Sequence, residues 1–293
     1  MQTETPLGAA SSFTKLFELI GKYQQTLKWV VYSLLILNFG YYLFDDWRSG
    51  EATLLEGATL LQIMSTYATS IDEMAWFVIL GLLEFETYWM EDDETGFSYW
   101  AMQIVRVGCY GLLGHTLFAY SMSLVDLADA QIIVGATNIC EFAGQNLFIV
   151  RNLLYDPIEI GTCAALSDGT MFYRLINEPV VADAEGYALA VQHAWIDIVD
   201  IVCWISISLS MTFIVLLQER KIYRSMWITG ADRLQYICYV ILVCEAVYWL
   251  VFGFYVYTWD TLLWIGGFAA IDANLAEWRH ELEDENVSAQ QAE

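Results

Sequence analysis

Apolar runs of about 20 residues recur along the chain and alternate with short polar stretches. A run of that length can cross a bilayer as an α-helix. The pattern predicts five crossings, at about residues 27–44, 70–90, 97–121, 194–217 and 234–257. The expected fold class is therefore all-α, a polytopic transmembrane helical bundle of five or six spans with a small extracytoplasmic domain.

The segment from Thr258 to Trp278 is open to two interpretations. It has a polar break at Trp259-Asp260, where Asp260 can cap a new helix, and it is then just long enough to form a sixth crossing. The polar residues Asp272, Asn274 and Glu277 weaken it as a span. It can equally form an amphipathic helix that lies on the outer face of the membrane.

The organisation of the chain follows from these spans. We expect an interfacial amphipathic helix in residues 1–26, because Phe13, Leu16, Phe17, Ile20 and Tyr23 share one helical face. Residues 27–121 are predicted to hold transmembrane helices 1–3 and residues 187–280 to hold helices 4–6. Residues 281–293 form an acidic tail.

Residues 122–186 are the one segment long enough for an extramembrane domain. They carry turn signals and two stretches that suit short strands, FYRLI and PVVAD. Cys140 and Cys163 both fall in this segment, and outside the cytoplasm two such cysteines are expected to pair. We therefore predict a Cys140–Cys163 disulfide.

Composition and charge support a membrane setting and exclude one class of partner. The 293 residues are 57% hydrophobic and 15% aromatic, above the range of soluble domains. Twelve basic residues stand against 36 acidic ones, so the clustered positive charge that nucleic-acid binding needs is missing. The expected partners are the lipid bilayer and, beyond it, a second copy of the chain or a membrane-complex subunit.

The placement of Lys and Arg predicts the orientation. Lys15, Lys22 and Lys28 precede the first crossing, and four basic residues fill the loop between the fourth and the fifth. Both groups belong on the cytoplasmic side. We expect a multi-pass protein of the plasma membrane, or of the inner membrane in a Gram-negative cell, with a cytoplasmic N-terminus.

Several ionisable residues fall at bilayer depth, where charge is costly and usually faces protein or water. They define a predicted ion or proton path made of Glu73, Glu84, Arg106, Glu245 and Asp272. Arg106 can neutralise only one of these carboxylates, so the others need protons, water or a cation. Each also has a structural interpretation: Glu84 and Arg106 as an ion pair between helices, and Glu245 as a protonated, hydrogen-bonded group.

A second polar set lies on the fourth crossing. His193, Asp197 and Asp200 share one helical face, and His115 joins them if the third helix packs against the fourth. One histidine with carboxylates can bind a divalent cation. The same residues also suit an interfacial polar face. We identify no other cofactor from the sequence. We do not expect an enzyme, and the one alternative considered is an intramembrane metalloenzyme that uses these residues.

The second crossing carries Glu73, Phe77 and Glu84, with the phrase LLEFE at its end. This order of outer acid, aromatic and inner acid resembles the second helix of voltage-sensor modules in the ion-channel superfamily. The resemblance covers about 20 residues and implies a distant relation to ion-channel architecture. The arginine-repeat helix of that family is missing, as is a selectivity-filter loop.

Two functions follow as expectations. The first is a cation or proton channel or transporter that uses its intramembrane carboxylates. The second is a non-transporting membrane subunit or sensor that acts through its extracytoplasmic domain.

Overall fold

The computed structural model describes residues 24–89, 96–220, 222, 225–268 and 271. Most of the predicted interfacial helix, Asp272 and the acidic tail lie outside this range. The helix that carries Glu84 is described, but the Glu84 side chain is not.

The described chain is mostly helical. Its helices, in chain order, are α1 (Gln24–Thr53), α2 (Leu60–Thr66), α3 (Ala68–Trp89), α4 (Phe97–Ala128), α5 (Ala184–Glu219), α6 (Met226–Val251) and α7 (residues 255–268, with 271 also helical). The long helices pack in sequence, α3 against α1 and α4, α4 against α5, and α5 against α6. They enclose a core of apolar and aromatic side chains that includes Trp76, Leu113, Ile207, Leu242 and Trp264.

Several helices extend beyond the predicted spans. α1 continues through Asp45 and Asp46 to Thr53, past the predicted end of the first crossing at residue 44, and α4 continues to Ala128. α5 has 36 residues, about 54 Å at 1.5 Å per residue, and begins at Ala184, where Asp183 caps it by accepting a hydrogen bond from the Gly186 N–H (2.7 Å). Apolarity marks the membrane-length part of such a helix but not its polar continuation.

The predicted helix break at Trp259-Asp260 is wrong, because the chain breaks earlier, at Phe252-Gly253. Gly253 has φ +88°, its N–H bonds to the Leu250 carbonyl (3.2 Å), and the Phe254 N–H bonds to the Trp249 carbonyl (2.9 Å). These are the two hydrogen bonds of a Schellman motif, with the aromatic contact between Trp249 and Phe254 that accompanies it. Asp260 therefore lies inside α7 and is not its cap.

A five-stranded sheet is inserted between α4 and α5. The strands are β1 (Gln131–Ile132), β2 (Phe148–Arg151), β3 (Leu154–Pro157), β4 (Phe172–Arg174) and β5 (Val180–Asp183), in the order β1-β4-β5-β2-β3. β2 and β5 are parallel, and the other neighbours are antiparallel. β4 and β5 are the two strands expected from FYRLI and PVVAD, so the all-α prediction holds for the helices and omits this sheet.

The predicted disulfide is confirmed. Cys140 and Cys163 are bonded, with their Cα atoms 5.1 Å apart. Cys163 is buried in a small apolar core with Ile139, Ile149 and Phe172. A second core, which includes Leu127, Val180 and Ala194, joins the sheet to the ends of α4 and α5.

Two helices among the described residues are long and apolar enough to cross a membrane. They are Ala184–Gln218, within α5, and Met226–Val251, which is α6. This count comes from length and composition, and it is smaller than the five or six spans predicted above.

An acidic cavity between the helices

A cavity of about 210 Å³ lies between the helices and beneath the β2–β3 hairpin. Five long helices contribute to its wall, α1, α3, α5, α6 and α7, and α4 adds Tyr120. Leu153 and Tyr155 reach it from the hairpin. The site is thus built where the bundle meets the sheet.

The cavity wall is strongly acidic. Eight carboxyl groups line it, from Asp45, Asp46, Asp72, Glu73, Asp197, Asp200, Glu245 and Asp260. Among the described residues that line it there is no Lys, Arg or His. Buried carboxylates without counter-charges repel one another in a low-dielectric interior. The cavity must therefore hold protons, cations or both.

Two of these carboxyls are deeply buried and have oxygens without a hydrogen-bond partner. Glu245 is 5% exposed, and neither of its oxygens bonds to another protein group. Glu73 is 6% exposed, and its Oε2 has no partner, nor has Oδ1 of Asp72. Buried polar atoms in native proteins nearly always have a partner. These oxygens mark the part of the wall where a bound species would complete the structure.

Neutral donors hold Asp45, Asp200 and Asp260 in place. Asn38 Nδ2 donates to Asp260 Oδ1 (2.8 Å), and Trp204 Nε1 donates to Asp200 Oδ1 (2.9 Å). The Tyr257 hydroxyl donates to Asp45 Oδ2 (2.8 Å). Such donors fix the orientation of a carboxyl but do not neutralise it, so the acidic character of the cavity is kept.

Aromatic side chains fill the wall between the acids. Trp76, Trp204 and Phe268 are in mutual contact, with ring centroids 6.5 Å apart for the two tryptophans and 5.4 Å from each to Phe268. Trp249, Trp264 and three tyrosines besides Tyr120 also line the cavity. The wall thus combines carboxyl oxygens with large aromatic surfaces.

The β2–β3 hairpin is tied to the helices at its tip. Its two loop residues, Asn152 and Leu153, have φ of +47° and +61°. Asn152 Nδ2 donates to the Phe252 carbonyl (3.2 Å), and Asn152 Oδ1 accepts from Nε2 of His193 (3.1 Å). Nδ1 of His193 accepts from the Tyr248 hydroxyl (2.8 Å). This chain of bonds holds Leu153 over the cavity.

The structure brings some of the sequence-predicted site residues together and separates others. Glu73, Glu245, Asp197 and Asp200 share the cavity. Arg106 is not among its lining residues, and its Nη1 lies 3.4 Å from Gln103 Oε1. The predicted role of Arg106 in the path stays a prediction.

The structure does not bring the two histidines of the predicted metal-binding set together with its carboxyls at the cavity. Both ring nitrogens of His193 are engaged by Asn152 and Tyr248, which leaves no lone pair for a metal ion. His115 does not line the cavity, although α4 packs against α5. Within the described part of the chain, no three His, Cys, Asp or Glu residues are grouped so that they could hold a metal ion.

The sequence did not identify Asp45, Asp46, Asp72 or Asp260 as site residues. Asp260 was considered a helix cap, and Asp45 and Asp46 fall beyond the predicted end of the first crossing. One signal was available: Tyr257, Thr261, Trp264 and Phe268 recur at spacings of three and four beside Asp260, which is one helical face. Asp45 and Asp46 required knowledge that α1 continues past the apolar run.

Comparison with known proteins finds no protein family, no curated protein and no solved structure that matches this chain. The resemblance of α3 to a voltage-sensor helix thus stays a prediction. The molecule is defined by its own features, a mostly helical protein with two membrane-length helices, an inserted sheet and an acidic cavity.

Proposed function

We propose that this chain is a multi-pass integral membrane protein that carries a cation or proton through the acidic cavity, as a channel or transporter. One observation supports this most directly. Eight carboxyls line one cavity in a helical bundle, and no basic side chain from the described residues lines it. A structural network would pair these charges, whereas an uncompensated cluster suits a mobile positive charge.

The surface of the bundle supports the membrane setting. In the apolar windows of α5 and α6, 44% and 33% of residues are buried, so most of each window faces outward. On α4, Ile104 and Val107 are 69% and 70% exposed. Contiguous apolar surface of this kind suits lipid or a protein partner. We assign spans to α1, α3, α4, α5 and α6.

We assign a sixth span to the segment that begins with α7. This helix packs inside the bundle, where Trp264 contacts Trp76 and Phe77 with ring centroids 6.5 and 5.8 Å apart. An amphipathic helix on the outer face would not contribute to the central core. With six spans and a cytoplasmic N-terminus in the plasma or inner membrane, the acidic tail is also cytoplasmic.

The roles follow from position and burial. Glu245 and Glu73, with their unpartnered oxygens, are the main ion or proton carriers. Asp197 and Asp200 attract cations into the cavity from the side of the sheet. Glu84 and Asp272 stay predicted members of a path toward the cytoplasmic side, since the Glu84 side chain and Asp272 lie outside the described structure.

The test is flux in proteoliposomes. We would record flux of H⁺, Na⁺, K⁺, Ca²⁺ and the organic cation ethylammonium for the wild type, Glu245→Gln and Glu73→Gln. Glu56→Gln is the matched control, because Glu56 is exposed and does not line the cavity. The proposal expects selective flux in the wild type and in Glu56→Gln and a loss of at least tenfold in the cavity variants. Equal flux in all four proteins would overturn it.

A second function, that of a non-transporting subunit or sensor, is favoured by the sheet. The inserted domain has its own apolar core and disulfide, and its hairpin contacts the cavity. A sensor would transmit binding at the sheet to the bundle without flux. Purification from native membranes with a stoichiometric partner, together with flux absent for every ion, would favour this function over transport.

A further inference from the structure

We propose that the cation taken up by the acidic cavity is a small organic ammonium ion. This inference rests on the proposed function, since it names the class of cation that the same cavity would bind. It draws on the volume of the cavity, its charge, its unpartnered oxygens and its aromatic wall.

The volume suits an organic ion better than a bare metal ion. Each water in the liquid occupies about 30 Å³, so 210 Å³ corresponds to about seven waters. An apolar cavity of about 150 Å³ is already large enough for benzene. The space here therefore fits a molecule with several non-hydrogen atoms.

The charge of the wall determines the sign of the ligand. Carboxyls line the cavity from five helices, and no described lining residue is basic. An anion would meet only repulsion, and a zwitterion would place its own carboxylate against this wall. A simple organic cation has no such cost.

The deepest carboxyls point to a ligand and not merely to an acidic surface. Glu245 and Glu73 are more than nine-tenths buried, both line the cavity, and they present three oxygens without a hydrogen-bond partner. An ammonium group supplies positive charge, and N–H donors where it carries them, to such oxygens. This is the second, independent feature that distinguishes the cavity from a cluster of solvated acids.

The aromatic wall favours an organic ammonium over a metal ion. Trp76, Trp204 and Phe268 form a continuous cluster beside the acids, and Trp249 and Trp264 also line the space. Ammonium ions with apolar carbons are attracted to aromatic faces. Hard metal ions need a shell of close oxygen ligands. The described residues offer no such metal-binding group.

The experiment measures binding to the full-length protein in detergent at pH 8. Ethylammonium and tetramethylammonium are the organic probes, Na⁺, K⁺, Mg²⁺ and Ca²⁺ the inorganic ones, and glycine betaine the zwitterion. Calorimetry gives the affinity, and tryptophan emission provides a second readout, because four tryptophans line the cavity. We expect saturable binding of at least one organic probe. Betaine should show no saturable binding, and equal concentrations of the inorganic ions should not displace the organic probe.

Variants locate the binding. Glu245→Gln is expected to weaken the organic probe at least tenfold, and Glu56→Gln to leave it unchanged. Trp76→Leu removes an aromatic face and is expected to weaken binding about threefold or more, whereas Trp76→Phe keeps a face and most of the affinity. Size-exclusion profiles confirm that each variant is folded. If Trp76→Phe binds the probe and Trp76→Leu does not, the loss is due to the missing aromatic face.

The outcomes separate this inference from the proposed function. Saturable binding of inorganic cations alone, lost in Glu245→Gln, would overturn the organic ammonium and leave cation transport in place. Betaine binding as strong as that of the organic cations would also overturn it. If no cation of either kind binds, and flux is absent, both proposals are wrong.

Discussion

Asn152 ties the β2–β3 hairpin to the helices through its side-chain amide. It bonds to the Phe252 carbonyl and to His193, and its backbone has φ +47°, a conformation that Asn tolerates better than most residues. Leu153, at φ +61°, occupies a turn position that usually holds glycine. Leu153 lines the cavity. A residue with a side chain therefore replaces the preferred glycine at a position that forms part of the site.

The Asn152→Ala substitution tests this connection. It removes both side-chain hydrogen bonds and places alanine at positive φ, so we expect the free energy of unfolding to fall by about 2–4 kcal/mol. Asn152→Gly removes the same bonds without the backbone cost and should lose about 1 kcal/mol less. Thermal unfolding in detergent measures both. Wild-type stability in both variants would show that the hairpin is not held by this residue.

Glu178 gives a pH dependence that belongs to the sheet and lies outside the predicted spans. Burial, and secondarily the nearby Asp126, raises the pKa of this carboxyl from 4.5 to about 7. The folded protein therefore binds a proton that the unfolded chain has already released between these pH values. The resulting stabilisation is complete below pH 4.5 and is lost as the pH rises through 7.

For the half-buried Glu178, this difference is worth about 2 kcal/mol after allowance for solvent screening. Glu178→Gln should remove this pH dependence. The difference in unfolding free energy between the wild type and the variant should therefore fall by about 2 kcal/mol between pH 4.5 and 7.5. Denaturant titrations across this range provide the measurement. A difference that does not change with pH would mean that Glu178 ionises normally.

At the scale of elements, the Schellman motif at Gly253 separates α6 from α7 and places Asp260 at the cavity. Gly253→Ala should cost about 1–2 kcal/mol, because φ is +88° while a Cβ there would meet no neighbour within 4 Å. Gly230→Ala, inside α6 and equally open, is the control and should be neutral or slightly stabilising. Equal unfolding free energies for the two variants would contradict the role of the motif.

The elements also show what the sequence could and could not predict. Apolar runs located the long helices, and turn signals with β-branched residues located β4 and β5. The ends of α1, α4 and α5 escaped prediction because their continuations are polar and are stabilised by contacts with the sheet and neighbouring helices. The break at Gly253 was missed because Asp260 offered a more conspicuous capping residue.

The site was predicted only in part, because a polar residue stands out in sequence only when its neighbours are apolar. Glu73 and Glu245 were identified because a carboxyl in an apolar helix stands out. Asp260, Asp45 and Asp46 adjoin polar or aromatic residues and look ordinary in sequence. Only tertiary packing brings α1, α3, α5, α6 and α7 around one space. Arg106 was placed in the path by its depth, and it does not line this cavity.

At the scale of the whole molecule, the six-span topology predicts the side on which the tail lies. Ser288→Cys, in a background without the exposed, free Cys244, should be labelled by a membrane-impermeant reagent only after the cytoplasmic face is opened. A cysteine at Glu56 should be labelled in intact cells. Labelling of residue 288 in intact cells would mean that the segment that begins with α7 does not cross.

If the acidic cavity binds a cation, that cation should stabilise the folded protein, and the unfolding temperature measures this. The unfolding temperature of purified protein would be followed against the concentration of ethylammonium, Na⁺, K⁺ or Ca²⁺ at pH 8. Ionic strength would be held equal in all samples, because a net charge of −24 makes general screening strong. The wild type and Glu245→Gln would be compared.

We expect the unfolding temperature of the wild type to rise with the concentration of at least one of these cations, because a ligand that binds the folded state stabilises it. The rise should be lost in Glu245→Gln and weakened at pH 5, where protons compete for the same oxygens. Parallel curves for the two proteins with every cation would contradict it, because the cation would then act on the surface charge and not in the cavity.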